Sequence, residues 1–385
     1  MTNKSLNTMS SNTTTVNTIL AAPNYAAAAF LSLTQLFGVL GNILVIYSIV
    51  SQRSLLKSNY YFLVLHLAFC DLMVLLLSSY DTYQALYPNS LFIRSFALCK
   101  VWQPTSTVFF NAGVFMVVVI SIFRGRAVLH PLKPAVSRSK LRVVVGVVYF
   151  CAIACVVPLV LVLKYTDACL FERWPNPTLN IIHTFFLITV DYLFPVLILF
   201  ILYYKICKAL NTQSKKILSL NATSAAISED SNARQTGLQR IKHYRNIRTF
   251  IQSASIVVLF AITSLPFHIS WLMFVCGATV QEEVILTWTY AVSLFGVNAV
   301  NPYIYGVSDK TLRSAYKRNW KKVKRIFVSS FQTSAVWFSE GKVYNVSASP
   351  SVTWNKGVTT TITFVDLIVS SATLHKQINK KYKTI

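Results

Sequence analysis

Asp71 and Asp191 sit where acids are expensive, each well inside a long apolar run, in Leu67-Ala-Phe-Cys-Asp71 and in Val190-Asp191-Tyr192. If those runs cross a bilayer, a carboxylate at the centre costs on the order of 2.5 to 3.5 kcal/mol, so each acid needs a reason to be there. A buried carboxylate can hold a small hard cation, recognise an amine or guanidinium through charge-assisted bonds, or tie helices together. A third charged group, Arg124, closes another apolar run in Phe123-Arg124-Gly125-Arg-Ala-Val-Leu-His-Pro131-Leu132. The chain has no histidine-metal spacing and no nucleophile with a plausible base, which argues against a membrane enzyme. The chemistry on offer is binding and switching.

The elements that position these groups follow from composition. Of 385 residues, 54% are hydrophobic and 12% charged, a balance that makes lipid the solvent. Seven apolar runs are long enough to cross about 30 Å of hydrocarbon as helices, at roughly 28–51, 59–80, 98–123, 142–163, 182–206, 249–277 and 286–307. The fold class is therefore an all-α seven-transmembrane bundle. The net charge of +24 is one-sided, which removes nucleic acid as a partner. Arg53, Lys57, Arg126, Lys133, Arg138, Lys140, Lys208, Lys215, Arg245 and Arg248 all fall in alternate connections, while the loop after run 6 carries Glu282 and Glu283. By the positive-inside rule the N-terminus is extracellular and the C-terminus cytoplasmic, in a multi-pass plasma-membrane protein.

Residues 1–27 form an extracellular tail without a cleaved-signal pattern, and run 1 is expected to act as the signal anchor. Asn3 and Asn12 fit the glycosylation pattern there; Asn221 and Asn345 also fit it but face the cytoplasm. Cys99, at the outer start of run 3, and Cys169, after run 4, are the two cysteines in the oxidising compartment and are expected to form a disulfide. Cys70, Cys151, Cys155, Cys207 and Cys276 read as small packing residues. The seven-span domain covers 28–307, with a loop at 209–245 whose centre, Asn221 to Gln235, reads as polar and mobile. Residues 308–327 place Leu312, Tyr316, Trp320, Val323 and Phe327 on one face and Arg313, Lys317, Lys321 and Lys324 on another, an amphipathic helix suited to the inner leaflet. Residues 328–385 read as a cytoplasmic tail.

Gly41-Asn42-Ile-Leu-Val45 in run 1, Asp71 in run 2, and Asn298-Ala-Val-Asn301-Pro302-Tyr-Ile-Tyr305 in run 7 stand in order, with Cys99 twenty-five residues before Arg124. Over about residues 28–325 this resembles the rhodopsin-like (class A) G-protein-coupled receptors, nearest in character to neuropeptide receptors. The resemblance implies a buried cluster of Asn42, Asp71, Asn298 and Asn301, which holds sodium in many relatives or else merely locks three helices. Gly113 stands where the family usually has a serine ligand, and Asn298 replaces a small hydroxyl. No other cofactor is implied. Arg124 matches the family's activation arginine, which pairs with a neighbouring acid at rest and then turns to tyrosines, here Tyr203 and Tyr305, and to the G protein. Here Phe123 replaces the acid and Gly125 the tyrosine, and Asn246 supplies no carboxylate, so raised basal signalling is expected. Pro195, Val114 and Phe260 match the packing switch, and Pro266 is the hinge of run 6. Ser264 takes the place of the usual tryptophan, and the usual tryptophan of run 4 is absent near Val148.

The family's outward pocket would be lined by Trp102, Gln103, Ser106, Phe110, Asn111, His183, Leu187, Asp191, Phe267, His268, Trp271, Tyr290 and Phe295. Ser106 stands where amine receptors have an aspartate, and Phe295 where opsins carry the retinal lysine, so neither subfamily fits. Asp191 either recognises a basic ligand or pairs with His268 as a strut between runs 5 and 6. The segment Cys169-Leu-Phe-Glu172-Arg173-Trp174-Pro175 resembles the entrance loop of neuropeptide receptors. The expected partners are an extracellular ligand, in first place a peptide, a heterotrimeric G protein and the lipid bilayer. The rivals are a receptor for a small molecule or lipid, a receptor-like protein that no longer couples, and a transporter, which the absence of a repeated half disfavours.

Overall fold

A helix buries its backbone polar groups in its own hydrogen bonds, so an apolar chain in lipid has few other choices. The computed structural model describes residues 24–87, 98–130, 133–134, 136–162, 176–224, 230–277, 280–322 and 325, and among these no strand occurs. Among the described residues seven helices have the length and composition to cross a membrane: Tyr25–Val50, Asn59–Leu86, Lys100–Leu129, Arg138–Val162, Pro177–Lys215, Asn246–Val275 and Val284–Ser308, called spans 1 to 7 below. Their outer faces carry Phe150, Leu161 and Phe200, each at least 70% exposed, which only lipid can cover. Inside, Leu63, Leu67, Met116, Ile120, Val145 and Tyr305 belong to one apolar cluster, and Leu31, Leu75, Ala291 and Leu294 to another.

Several helices outrun the apolar sequence. Span 3 continues to Leu129, so Arg124 lies within the helix and does not end it. The fifth helix runs unbroken from Phe194 to Ser224 and the sixth from Asp230 to Val275. Most of the expected polar loop at 209–245 is therefore helical, because hydropathy marks where lipid ends and not where backbone bonding ends. Residues 225–229 lie outside the described residues.

Prolines shape the spans. Wide π-helical segments at Leu98–Trp102, Thr189–Leu193 and Phe295–Ala299 each precede a proline, namely Pro104, Pro195 and Pro302. A proline has no N–H for the carbonyl four residues back, and the helix widens where that bond is lost. Pro266 lies inside span 6 without such a segment, and on the turn before it Tyr192 donates its hydroxyl to the Ala261 carbonyl at 2.8 Å. Span 1 closes on span 7 because Gly38 has no side chain: a Cβ there would stand 2.5 Å from Leu75 and 2.9 Å from Ala299.

A further helix covers 310–322. Asp309 caps it, accepting from the backbone N–H groups of Thr311 at 2.8 Å and Leu312 at 3.1 Å, while its other oxygen accepts from Tyr61 at 2.9 Å. Asn319 donates to Ser48 of span 1 at 2.9 Å, and Leu312 and Ala315 are buried. Trp320, expected on the same face as Leu312, is 70% exposed.

Candidate functional site

The polar interior forms three layers. In the middle, Asn301 Nδ2 donates to Asp71 Oδ2 at 2.9 Å and to the Val297 carbonyl at 2.7 Å, a carbonyl in the wide segment before Pro302. Asn42 Nδ2 donates to the Gly38 and Asn298 carbonyls, both at 3.0 Å. These four side chains, Asn42, Asp71, Asn298 and Asn301, are at most 2% exposed. The structure thus brings the expected cluster together, although Asn298 joins by its backbone. Asn42 Oδ1 and Asn301 Oδ1 are buried acceptors without a hydrogen-bond partner, and a Cβ on Gly113 would still lie 3.8 Å from Asp71 Oδ1. Two spare amide oxygens and room beside a carboxylate are a donor set that suits a small hard cation.

The outer layer differs from expectation. Asp191, 5% exposed, is not paired with His268. The His268 Nδ1–H donates to the Ser264 carbonyl at 2.7 Å, and its ring stacks at 4.9 Å on Tyr192, which turns the imidazole toward its own helix. The neighbour of Asp191 is Asn111: with its amide turned to donate, Asn111 reaches Asp191 Oδ2 at 3.2 Å and the Thr107 carbonyl at 3.1 Å. Asp191 Oδ1 has no hydrogen-bond partner. Tyr290 donates to Asp81 Oδ2 at 2.9 Å, and its ring lies 5.6 Å from Phe267, which in turn meets His268 at 5.5 Å and Trp271 at 6.5 Å. A row of rings, Tyr290, Phe267, His268 and Tyr192, therefore runs from span 7 to span 5. Phe110 packs against this region and against the switch below, Ser106 is half-buried and Gln103 exposed. His183 hydrogen-bonds the Cys155 backbone of span 4, Trp102 donates to the Leu77 carbonyl at 2.8 Å, and Phe295 meets Phe30 of span 1 at 6.1 Å.

Between the layers, Val114, Phe260, Tyr192 and Val297 pack as one cluster, with Pro195 buried. At the inner end Arg124, 9% exposed, lies with its guanidinium 4.1 Å over the ring of Tyr60. Tyr203 shares a hydrogen bond with Ser121 at 3.2 Å, and Tyr305 is buried. A void of about 10 Å³ lies among Tyr60, Ser121, Ser253, Ile256 and Tyr305, room for one water.

The description "7 transmembrane receptor (rhodopsin family)" matches residues 41–305. The chain belongs to the rhodopsin family of seven-transmembrane receptors. Among its relatives, the neuromedin-K receptors of Homo sapiens and Oryctolagus cuniculus are 26% and 25% identical, over 76% of this chain and 61% of theirs. The muscarinic acetylcholine receptor M3 of Gallus gallus is 28% identical over 55% of this chain and 34% of its own. The chain thus spans about three-fifths of the length of the neuromedin-K receptors it matches. The crystal structure of squid rhodopsin superposes with a TM-score of 0.65 at 18% identity, covering 78% of this chain and 86% of that one, which supports the fold.

Within this family the departures acquire physical reasons. Gly125 lies where span 5 presses on span 3: a Cβ would meet the tip of the Leu202 side chain at 2.6 Å, so the family's tyrosine would require Leu202 to shift. Ser264, fully buried in place of a tryptophan, receives a hydrogen bond from Ser293 of span 7 at 3.3 Å. Three site residues escaped the sequence reading, namely Tyr60, Gln252 and Asp81, as did the contact of Asn111 with Asp191. Tyr60 lies eleven residues, three turns, before Asp71 and so on its face, which was a usable signal. Asp81 was missed because the apolar run stops at 80 while the helix continues to Leu86. Asn3, Asn12 and Cys169, together with the Cys99 side chain, lie outside the described residues.

Proposed function

We propose that this chain is a plasma-membrane receptor that converts extracellular binding of a ligand, foremost a neuropeptide, into nucleotide exchange on a heterotrimeric G protein. Family membership supports the class of activity, and the neuromedin-K receptor relatives favour a peptide. The observation that carries it is Arg124, a cation buried at the inner end between Tyr60, Tyr203 and Tyr305, where an outward movement of span 6 about Pro266 would release it. A ligand drives this movement only as far as it prefers the open form. Asp191, with an oxygen left over and Asn111 fixing the other, would recognise an amine or guanidinium of the ligand, with Gln103, Ser106, Phe110, His268, Trp271 and Tyr290 around it. The N-terminus faces outward with Asn3 and Asn12 glycosylated, Cys99 and Cys169 are bridged, and helix 310–322 lies on the inner leaflet.

Asn42, Asp71, Asn298 and Asn301 would hold a sodium ion, whose charge stabilises the resting arrangement. Replacing sodium chloride by choline chloride at equal ionic strength should lower the melting temperature of the wild type and leave Asp71→Asn unchanged; equal responses would remove the ion. The receptor function itself is tested by a neuropeptide library against cells reading out second messengers. A peptide acting on expressing cells alone supports the reading, and ion or solute flux without any G-protein response would replace it with a transporter.

A further inference from the structure

The family's resting arginine leans on an acid, yet Arg124 is flanked by Phe123 and Gly125. The structure supplies a different support. The Tyr60 ring of span 2 offers its face to the guanidinium at 4.1 Å, and the negative face of an aromatic ring attracts a cation most where water is excluded. The Tyr60 hydroxyl accepts from Gln252 Nε2 of span 6 at 3.4 Å, and Gln252 is 2% exposed. One turn further inward on the same helix, Arg248 donates to the Ser308 carbonyl at 2.5 Å and to the Val307 carbonyl at 3.2 Å. These are the closing carbonyls of span 7, which lack helical partners and carry the negative end of the helix dipole. Arg313 adds a bond to the Val307 carbonyl at 2.9 Å.

We infer that Tyr60 is the positioning residue that holds Arg124 at rest and, through Gln252 and assisted by Arg248, fastens the inner half of span 6 where the family uses an acid. This rests on the proposed movement of span 6. It replaces the expectation of raised basal signalling: the missing acid has a neutral substitute. Span 6 cannot leave without breaking the Gln252 bond and both Arg248 bonds. Once they break, Tyr60 no longer ties Arg124 to span 6.

The test places spin labels at Ser139→Cys and Tyr244→Cys, both exposed at the inner ends of their helices, in full-length protein in nanodiscs with Cys151, Cys155, Cys207 and Cys276 replaced by alanine. Tyr60→Leu should raise the ratio of long to short distances about fivefold to thirtyfold, the worth of a desolvated cation–π contact together with its hydroxyl bond. Tyr60→Phe keeps the ring and should raise it about twofold to tenfold. Phe123→Asp added to Tyr60→Leu should return most of the shift, because it restores a partner of the kind the family uses. Gln252→Leu carries the same test should Tyr60→Leu not fold. Unchanged distances in both folded variants would overturn the inference, as would a shift that Phe123→Asp does not reverse. A distance shift with no change in nucleotide exchange on added G proteins would uphold the latch and overturn the coupling.

Discussion

Replacing Asn301 by alanine removes one amide that makes two buried bonds, to Asp71 Oδ2 at 2.9 Å and to the Val297 carbonyl at 2.7 Å. The bond to a carboxylate is worth about 1.5 to 3 kcal/mol and the bond to a carbonyl about 0.5 to 1.5 kcal/mol. Both acceptors are sealed from bulk water, Asp71 at 1% exposure, so little solvent replaces the amide. The loss should come to about 2 to 4 kcal/mol, or roughly 3 to 7 °C in melting temperature for a bundle of this size. The assay is built into the molecule: Cys70, beside Asp71 and fully buried, is inaccessible to a thiol-reactive dye until the bundle opens. With Cys151, Cys155, Cys207 and Cys276 changed to alanine, the dye reports that opening. Asp71→Asn and Asn301→Ala together should cost clearly less than their sum, because they share one bond. A shift below about 1 °C, or strict additivity, would refute the bonding argument.

Asp191→Asn should weaken response to a basic ligand about tenfold to a hundredfold while leaving surface expression intact, measured by concentration-response curves on matched cells. Gly125→Tyr would drive a side chain into Leu202 and should cost about 1 to 3 kcal/mol in the same dye assay. Arg138→Ala removes a guanidinium stacked 3.8 Å over Phe62 that also donates to the Ser58 and Leu56 carbonyls at 3.1 and 3.0 Å. It should lower the melting temperature by several degrees, whereas Arg142→Ala, an exposed neighbour, should not.

The seven spans were legible because lipid imposes a length and a composition that sequence displays directly. Their ends were not. The sequence puts the limits of run 5 at 182 and 206, whereas the fifth span begins at Pro177 and its helix continues to Ser224, since hydrogen bonding goes on after hydropathy falls. The Asp71, Asn42 and Asn301 cluster was readable through the family resemblance, since burial cost marks an acid as needing a partner but does not say which one. The Asp191–His268 pair failed for a geometric reason: the wide turn at Thr189–Leu193 swings Tyr192 onto His268 and leaves Asp191 to Asn111. Periodicity with 3.6 residues per turn cannot foresee a turn that departs from it. Tyr60 was passed over for another reason: its spacing from Asp71 was a signal, but an aromatic at the mouth of a span ordinarily reads as an interface anchor.

Arg124 is the point on which everything converges, and Arg124→Ala tests it most directly. Membranes bearing wild type or the variant would be mixed with a panel of purified heterotrimeric G proteins, with and without any peptide found active, and uptake of a nonhydrolysable GTP analogue followed. The expected result is peptide-stimulated exchange on at least one heterotrimer with the wild type, lost in Arg124→Ala although the peptide still binds. Equal exchange by both proteins, or peptide binding that stimulates no heterotrimer in the wild type, would contradict it.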